Sequence, residues 1–129
     1  MTANQAIRSA LVAQLKLRPE MTGVAGLSVE AGTNTLPQVR VDDPVATEWG
    51  TKDRRGRELR TAITIRVSRG QTMRLPMLVA AAESVGEALA GSIDGWRIGS
   101  AMTVRARSFD SADGTRSALV EHRIRVLED

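Results

Sequence analysis

The stretch Glu58-Leu59-Arg60-Thr61-Ala62-Ile63-Thr64-Ile65-Arg66-Val67-Ser68 alternates with a period of two. Leu59, Ile63, Ile65 and Val67 fall on one side, with Thr61 among them; Arg60, Ala62, Thr64 and Arg66 fall on the other. Successive side chains of a strand point to opposite faces, so the pattern predicts a strand with one apolar and one polar face. Immediately upstream, Lys52-Asp53-Arg54-Arg55-Gly56-Arg57 reads as a polar turn with glycine available for positive φ. Val45 to Thr51 reads as the strand before it. Together these segments predict a long β-hairpin with a basic tip.

The alternation recurs on both sides of the hairpin. Pro37 to Asp43 reads as a strand with Val39 and Val41 on one face, interrupted by Pro44. Gly23 to Pro37 is small and polar, a loop with a short strand near Leu27 to Val29. In Trp96 to Phe109, Met102, Val104 and Ala106 oppose Thr103, Arg105 and Arg107. Asp110 to Gly114 turns the chain, and Thr115 to Leu127 closes it as a strand. There Ala118, Val120, His122, Ile124 and Val126 oppose Leu119, Glu121, Arg123 and Arg125.

Two segments change period. Thr2 and Gln5 have capping-box spacing, and Ile7, Ala10, Leu11 and Leu15 follow at helical steps, about four turns ended by Pro19. Thr72 and Pro76 mark a second helix carrying Leu78, Val79, Ala82, Val85 and Leu89, with Gly91 placed to stop it and Ser92 to Gly95 as a turn. The expected architecture is one α+β domain over residues 1–129, a mostly antiparallel sheet with two helices packed on one face. Arg60, Arg66, Arg105, Arg107, Arg123 and Arg125 fall on the other face.

Composition narrows the function classes. At 129 residues, 42% of them hydrophobic and 26% charged, the chain supports one packed globular domain. It has no cysteine, which removes disulfide scaffolds, cysteine–zinc sites, iron–sulfur clusters and a cysteine nucleophile. Its single histidine, His122, removes sites that need two imidazoles. Trp49, Trp96 and Phe109 are the only aromatics, too few for base-stacking platforms or a deep aromatic pocket. No apolar run reaches the ~18 residues of a membrane span, and the start MTANQAIRSALVAQLK lacks the basic-then-apolar order of a signal peptide. The cytoplasm is the default compartment, and no membrane partner is expected.

Charge is modest in sum, +3, but segregated. Residues 52–74 carry eight cations against Asp53 and Glu58, whereas 20–51 carry Arg40 against Glu20, Glu30, Asp42, Asp43 and Glu48. Sixteen of the eighteen cations are arginine, the residue favoured at protein interfaces. The pattern suits association between unlike patches of identical subunits. A small oligomeric nucleic-acid-binding domain is the alternative, and an enzyme a further one.

Reactive constellations are missing from the sequence. There is no GxxxxGK[ST], GxGxxG or HExxH. His122, within an alternating strand, reads as a core or sheet-face residue rather than a triad base. Asp42 and Asp43 are adjacent on a strand and point to opposite faces, so they cannot jointly clasp one ion. Asp110 and Asp113-Gly114 lack the later ligands of a calcium loop and read as turn residues. No catalytic, cofactor or metal site is expected. Candidate interface residues are Trp49, Lys52, Arg54, Arg55, Arg57 and Glu58. Trp49 is either a strand aromatic beside the hairpin or a hydrophobic anchor in a subunit contact. The basic tip is either a solvated loop or a knob that docks on a neighbour's acidic segment between Glu20 and Glu48. The arginine face is either solvated, or turned toward partner subunits or a DNA passage.

Glu48-Trp49-Gly50-Thr51-Lys52-Asp53, then Gly56-Arg57-Glu58, the strand Leu59 to Ser68 and an amphipathic helix together resemble the tail-completion family. These are the tail terminator proteins of long-tailed phages and phage-derived gene transfer agents. The resemblance extends to the N-terminal helix, Pro37-Gln38-Val39, the turn Asp113-Gly114-Thr115-Arg116 and the closing strand, nearly the whole chain. Members often carry a tryptophan late in the strand after the hairpin, where this chain has Arg66-Val67-Ser68, and the following loop, Arg69 to Arg74, is short. The resemblance implies a virion structural protein without cofactor. It implies a homo-hexameric ring at the neck end of the tail, between the tail tube protein and the head–tail connector (stopper). DNA would pass through the lumen, and the subunit would be made in the host cytoplasm.

Overall fold

Thr2 opens the first helix. Its hydroxyl accepts from the Gln5 backbone N–H at 3.2 Å, and the Gln5 side chain accepts from the Thr2 N–H at 3.1 Å. This capping box satisfies two otherwise orphaned groups, and the helix, α1, runs Ala3–Lys16. Ile7, Leu11 and Leu15 are fully buried on one stripe. The helix ends three residues before Pro19, which starts a 3₁₀ turn, Pro19–Met21. The computed structural model describes residues 1–27 and 35–129. Of the short strand expected near Leu27 to Val29, residues 28 and 29 lie outside the described residues. Leu27 packs in the core, and Ala25 makes an isolated parallel bridge to Gln38.

The strands are β1 (Gln38–Val41), β2 (Val45–Glu48), β3 (Gly56–Val67), β4 (Ser92–Ile93), β5 (Trp96–Asp110) and β6 (Arg116–Glu128). They form one six-stranded sheet in the order β1-β3-β6-β5-β4, with β2 also paired to β3. Every strand pairing is antiparallel. β1 pairs with the far half of β3 (Val41 opposite Ile63) and β2 with its near half (Val45 opposite Arg60). The two therefore lie end to end on the same edge. β3 and β6 pair over twelve residues, from Gly56–Leu127 to Val67–Arg116, and form the spine.

The core lies between the sheet and both helices. Leu59, Ile63, Ile65 and Val67 of β3 and Ala118, Val120, Ile124 and Val126 of β6 are buried against α1 and the second helix, α2 (Leu75–Glu87), which supplies Leu78, Ala81, Ala82 and Val85. The architecture is α+β, as the alternation of Glu58 to Ser68 and its neighbours predicts.

Several boundaries and one face differ from expectation. The second helix is preceded by a 3₁₀ segment, Arg69–Arg74, and ends at Glu87 rather than at Gly91. The Gly91 carbonyl instead accepts from Ile98 N at 2.8 Å, which draws residues 88–91 out of the helix toward β5. Ser92 and Ile93 are a short strand rather than a turn, and Asp94 (φ 48°) and Gly95 (φ 90°) make the reversal into β5. Two successive positive φ values are what a two-residue hairpin turn requires. The β2 strand stops at Glu48, although Trp49 N still donates to the Gly56 carbonyl at 3.1 Å. Gly56 serves this close approach rather than a positive φ: a Cβ there would collide with the Trp49 carbonyl.

The face assignment of β5 needs correction. Register shifts lie between Ile98 and Ser100 and between Thr103 and Arg105. Each inserts a residue and breaks the period of two. Thr103 faces the core side, opposite His122, whereas Met102 shares the outer face with Arg105 and Arg107, which are opposite Glu121 and Leu119. Met102 and Val104 are accordingly exposed, at 44% each.

Candidate functional site: the arginine-bearing sheet face and the hairpin end

The register sets the outer face in rows. Glu58 stands opposite Arg125 and Ser100; Arg60 opposite Arg123 and Met102; Ala62 opposite Glu121 and Arg105; Thr64 opposite Leu119 and Arg107; Arg66 opposite Ser117 and Phe109. Arg60, Arg66, Arg105, Arg107, Arg123 and Arg125 thus occupy one face, away from the helices.

That face is not bare cation. The Arg125 Nε donates to Glu58 Oε1 at 2.9 Å, and Arg123 lies 4.0 Å from the same carboxylate. Arg105 pairs with Glu121, Arg66 with Asp113 at 3.2 Å, and Arg40 with Asp42 at 2.8 Å. The Arg125 hydrogen bond, with the charges of Arg125, Arg123 and Arg60, holds the Glu58 carboxyl below its usual range. Hydrogen bonds from the Thr115 hydroxyl and N–H, with the Arg66 charge, do the same for Asp113. The Arg107 guanidinium lies 5.3 Å from the Phe109 ring centre. Three carboxylates, Glu58, Glu121 and Asp113, weaken the field of the six arginines without cancelling it.

At the hairpin end, the half-buried Trp49 ring carries the Arg125 guanidinium 5.4 Å from its centre. The ring lies over Gly99, where a Cβ would sit 3.8 Å from it. Trp49, Arg125, Glu58 and Arg123 therefore form one connected string across β3 and β6. Of the remaining tip candidates, Lys52, Arg54 and Arg55 are exposed on the loop. Arg57 is half-buried, stands opposite Val126 on the helix side, and donates to the Gly56 carbonyl at 2.8 Å. The six tip candidates hence do not form one patch: Trp49 and Glu58 belong to the arginine face, Arg57 to the opposite one. Nor is the tip a free arm, since the Arg55 carbonyl accepts from Glu128 N at 2.8 Å. The hollow of about 600 Å³ lined by residues 48–57 is the concave side of this loop.

The acidic segment is partly neutralised. Glu20 pairs with Arg18 at 3.0 Å, Asp42 with Arg40 and the Thr64 hydroxyl, and the highly exposed Asp43 with Arg8 at 3.5 Å. Asp42 and Asp43, just past the end of β1, reach apart, one to Thr64 on the sheet and the other to Arg8 on α1. Glu48 is exposed, and residue 30 lies outside the described residues.

His122 is fully buried beneath α2. Its Nε2 lies 3.2 Å from the Glu83 carbonyl, which makes Nε2 the donor and leaves Nδ1 without a hydrogen. Nδ1 has no partner, and neither has the Thr61 hydroxyl at the paired position on β3. Gly86 makes the room: a Cβ there would collide with the imidazole. Burial pushes the His122 pKa below its ordinary value. Among the described residues no three His, Asp or Glu side chains group as a metal site would require, and no helix is long and apolar enough to cross a membrane.

Sequence reasoning missed the carboxylate ladder and the open edge of β5. The ladder was visible as Glu58 and Glu121 at outward positions of their strands. The open edge was hidden because pairing partners are not encoded locally.

No protein-family model matches this chain, and no curated protein sequence matches it. A chain of the virion of a native gene transfer agent particle superimposes on it with a TM-score of 0.74, over 98% of this chain and 99% of that one, at 20% identity. The two chains share a fold. The correspondence runs from end to end, so it includes the hairpin, both helices and the closing strand.

Proposed function

We propose that this chain is a structural subunit of a phage-like particle, a tail terminator of a long-tailed phage or gene transfer agent. It assembles as a homo-hexameric ring on the head-proximal end of the tail tube. The ring stops tube polymerisation and presents a surface to the head–tail connector. The observation that carries this reading is the end-to-end correspondence with a chain of a gene transfer agent virion. The resemblance of Trp49-Gly50-Thr51-Lys52-Asp53 and Gly56-Arg57-Glu58 to the tail-completion family supports it independently.

The mechanism is interface geometry, with no bond made or broken. Heterologous contacts between identical subunits close into a ring when their rotation closes. DNA crosses the lumen without sequence-specific binding. Glu58, Glu121 and Asp113 hold Arg125, Arg105 and Arg66, which lowers the number of arginines the face offers to phosphates. The test is to incubate the purified protein with isolated tail tubes and image the product by electron microscopy. Rings of six-fold symmetry seated on one tube end, with tube growth arrested, are expected; unbound protein and tubes that keep growing would overturn the proposal.

The exposed Lys52, Arg54 and Arg55 favour a second reading, a small oligomeric nucleic-acid-binding domain. It requires DNA affinity that falls steeply with salt, whereas the terminator reading requires weak binding at physiological salt.

A further inference from the structure

Glu58, Glu121 and Asp113 bond Arg125, Arg105 and Arg66, which leaves Arg60, Arg107 and Arg123 on the outer face. Arg60 is exposed, and among the described residues no carboxylate pairs with it. Arg123 stands directly opposite it on β6. The Arg123 Nε is buried without a hydrogen-bond partner, and one terminal nitrogen donates to the Met102 sulfur at 2.9 Å, a weak acceptor. The Glu58 carboxylate is 4.0 Å from that Nε and is already bonded by Arg125 at 2.9 Å. Like charges directly opposite one another in a sheet repel at a cost to stability. β3 and β6 are each paired on both sides, so this pair is held in place with donors to spare.

We infer that Arg60 and Arg123 together bind one phosphate of a DNA backbone. A guanidinium fork matches phosphate oxygens and keeps its charge at any working pH. Two forks from neighbouring strands converge on one anion, which offsets their mutual repulsion. A polyanion fits better than a single acidic side chain of a protein, because unpaired cations continue in both directions. Arg107 lies two rows further along the face, about 14 Å by strand rise, and the exposed Lys52, Arg54 and Arg55 lie beyond the Glu58 row. A chain with a charge on every unit meets the whole line, whereas one carboxylate meets a single point of it. The contact reads no sequence, as DNA in transit requires. DNA as the source of the phosphate rests on the terminator reading; the pairing of Arg60 with Arg123 does not.

The test is fluorescence anisotropy of a labelled DNA duplex of mixed sequence, titrated with the protein at salt from about 50 to 200 mM. Arg60→Gln is expected to weaken binding several-fold at low salt and to lower the slope of log affinity against log salt by about one. Arg123→Gln should do the same; Arg60 is exposed, so its variant keeps the fold even where the Arg123 variant does not. Arg66→Gln, whose guanidinium is held by Asp113, should lose less. Glu58→Gln removes the carboxylate beside the pair and should tighten binding. No DNA binding at the lowest salt, or an affinity that Arg60→Gln leaves unchanged, overturns the inference. So does an equal loss in Arg66→Gln, which would mean a diffuse field over the face. Polyglutamate that binds more tightly than the duplex would assign the pair to an acidic protein and overturn it too. Tube capping separates this inference from the reading it rests on. A protein that caps tail tubes with a DNA affinity indifferent to Arg60 loses the phosphate site and keeps the terminator reading. An affinity that depends on Arg60, in a protein that seats on no tube, does the reverse.

Discussion

Gly86 and His122 share one volume, and each constrains the other. Alanine is ordinarily about 1 kcal/mol better than glycine inside a helix. At position 86 its methyl collides with the buried imidazole, so Gly86→Ala is expected to destabilise, by about 1–3 kcal/mol, in urea unfolding. The imidazole also sets a pH dependence. Burial lowers its folded-state pKa below the ordinary 6.5, so the unfolded chain binds the proton more readily. The His122 contribution is complete above about pH 6.5 and is lost as pH falls below that value. Glu58, lowered by Arg125, acts in the same direction at more acid pH, its contribution being lost as the carboxyl protonates. Unfolding measured from pH 7.5 to 5 should show stability falling, and the slope should flatten in His122→Gln. An equal slope in the variant would place the titration elsewhere. His122→Gln should still fold and assemble, since nothing assigns the imidazole a chemical step.

Among the elements, β3 carries the most of the fold. Ile63→Ala, which empties a fully buried site on the strand that pairs with β1, β2 and β6, should cost about 2–5 kcal/mol. Phe109→Ala, on the open part of β5, should change monomer stability by under about 0.5 kcal/mol. Trp49→Ala removes the ring that rests on Gly99 and Arg125, and about 1–3 kcal/mol is expected from its partial burial. The tip triple variant Arg54→Glu, Arg55→Glu, Arg57→Glu should keep the fold but prevent ring formation; an unchanged assembly mass would return the tip to an ordinary solvated loop.

These elements also mark what the sequence made legible. Strict alternation in β3 and β6 disclosed both faces residue by residue, because each strand is paired along both sides and buried on one. The Thr2–Gln5 cap located the first helix for the same local reason. In β5 the alternation misled: two inserted residues shift the faces, and although a glycine within a strand, Gly99, is a cue to the first bulge, nothing in Val104 announces the second. The second helix ended early because a tertiary hydrogen bond to Gly91 overrides local helical preference. The arginine face could be read from period alone. Its neutralisation could not, because Arg105–Glu121 and Arg125–Glu58 depend on cross-strand register.

At the scale of the whole molecule, the chain is an open α+β sheet with six arginines and three carboxylates on its outer face, β5 toward one edge and β1 and β2 along the other. The most direct measurement is the solution mass by light scattering over a range of concentrations, on the protein alone and with isolated tail tubes. If the chain forms the proposed terminator ring, a species of about six times the 13.9 kDa chain mass is expected, free or seated on tube ends. A single-chain mass at every concentration, with no protein retained on tubes, would contradict it.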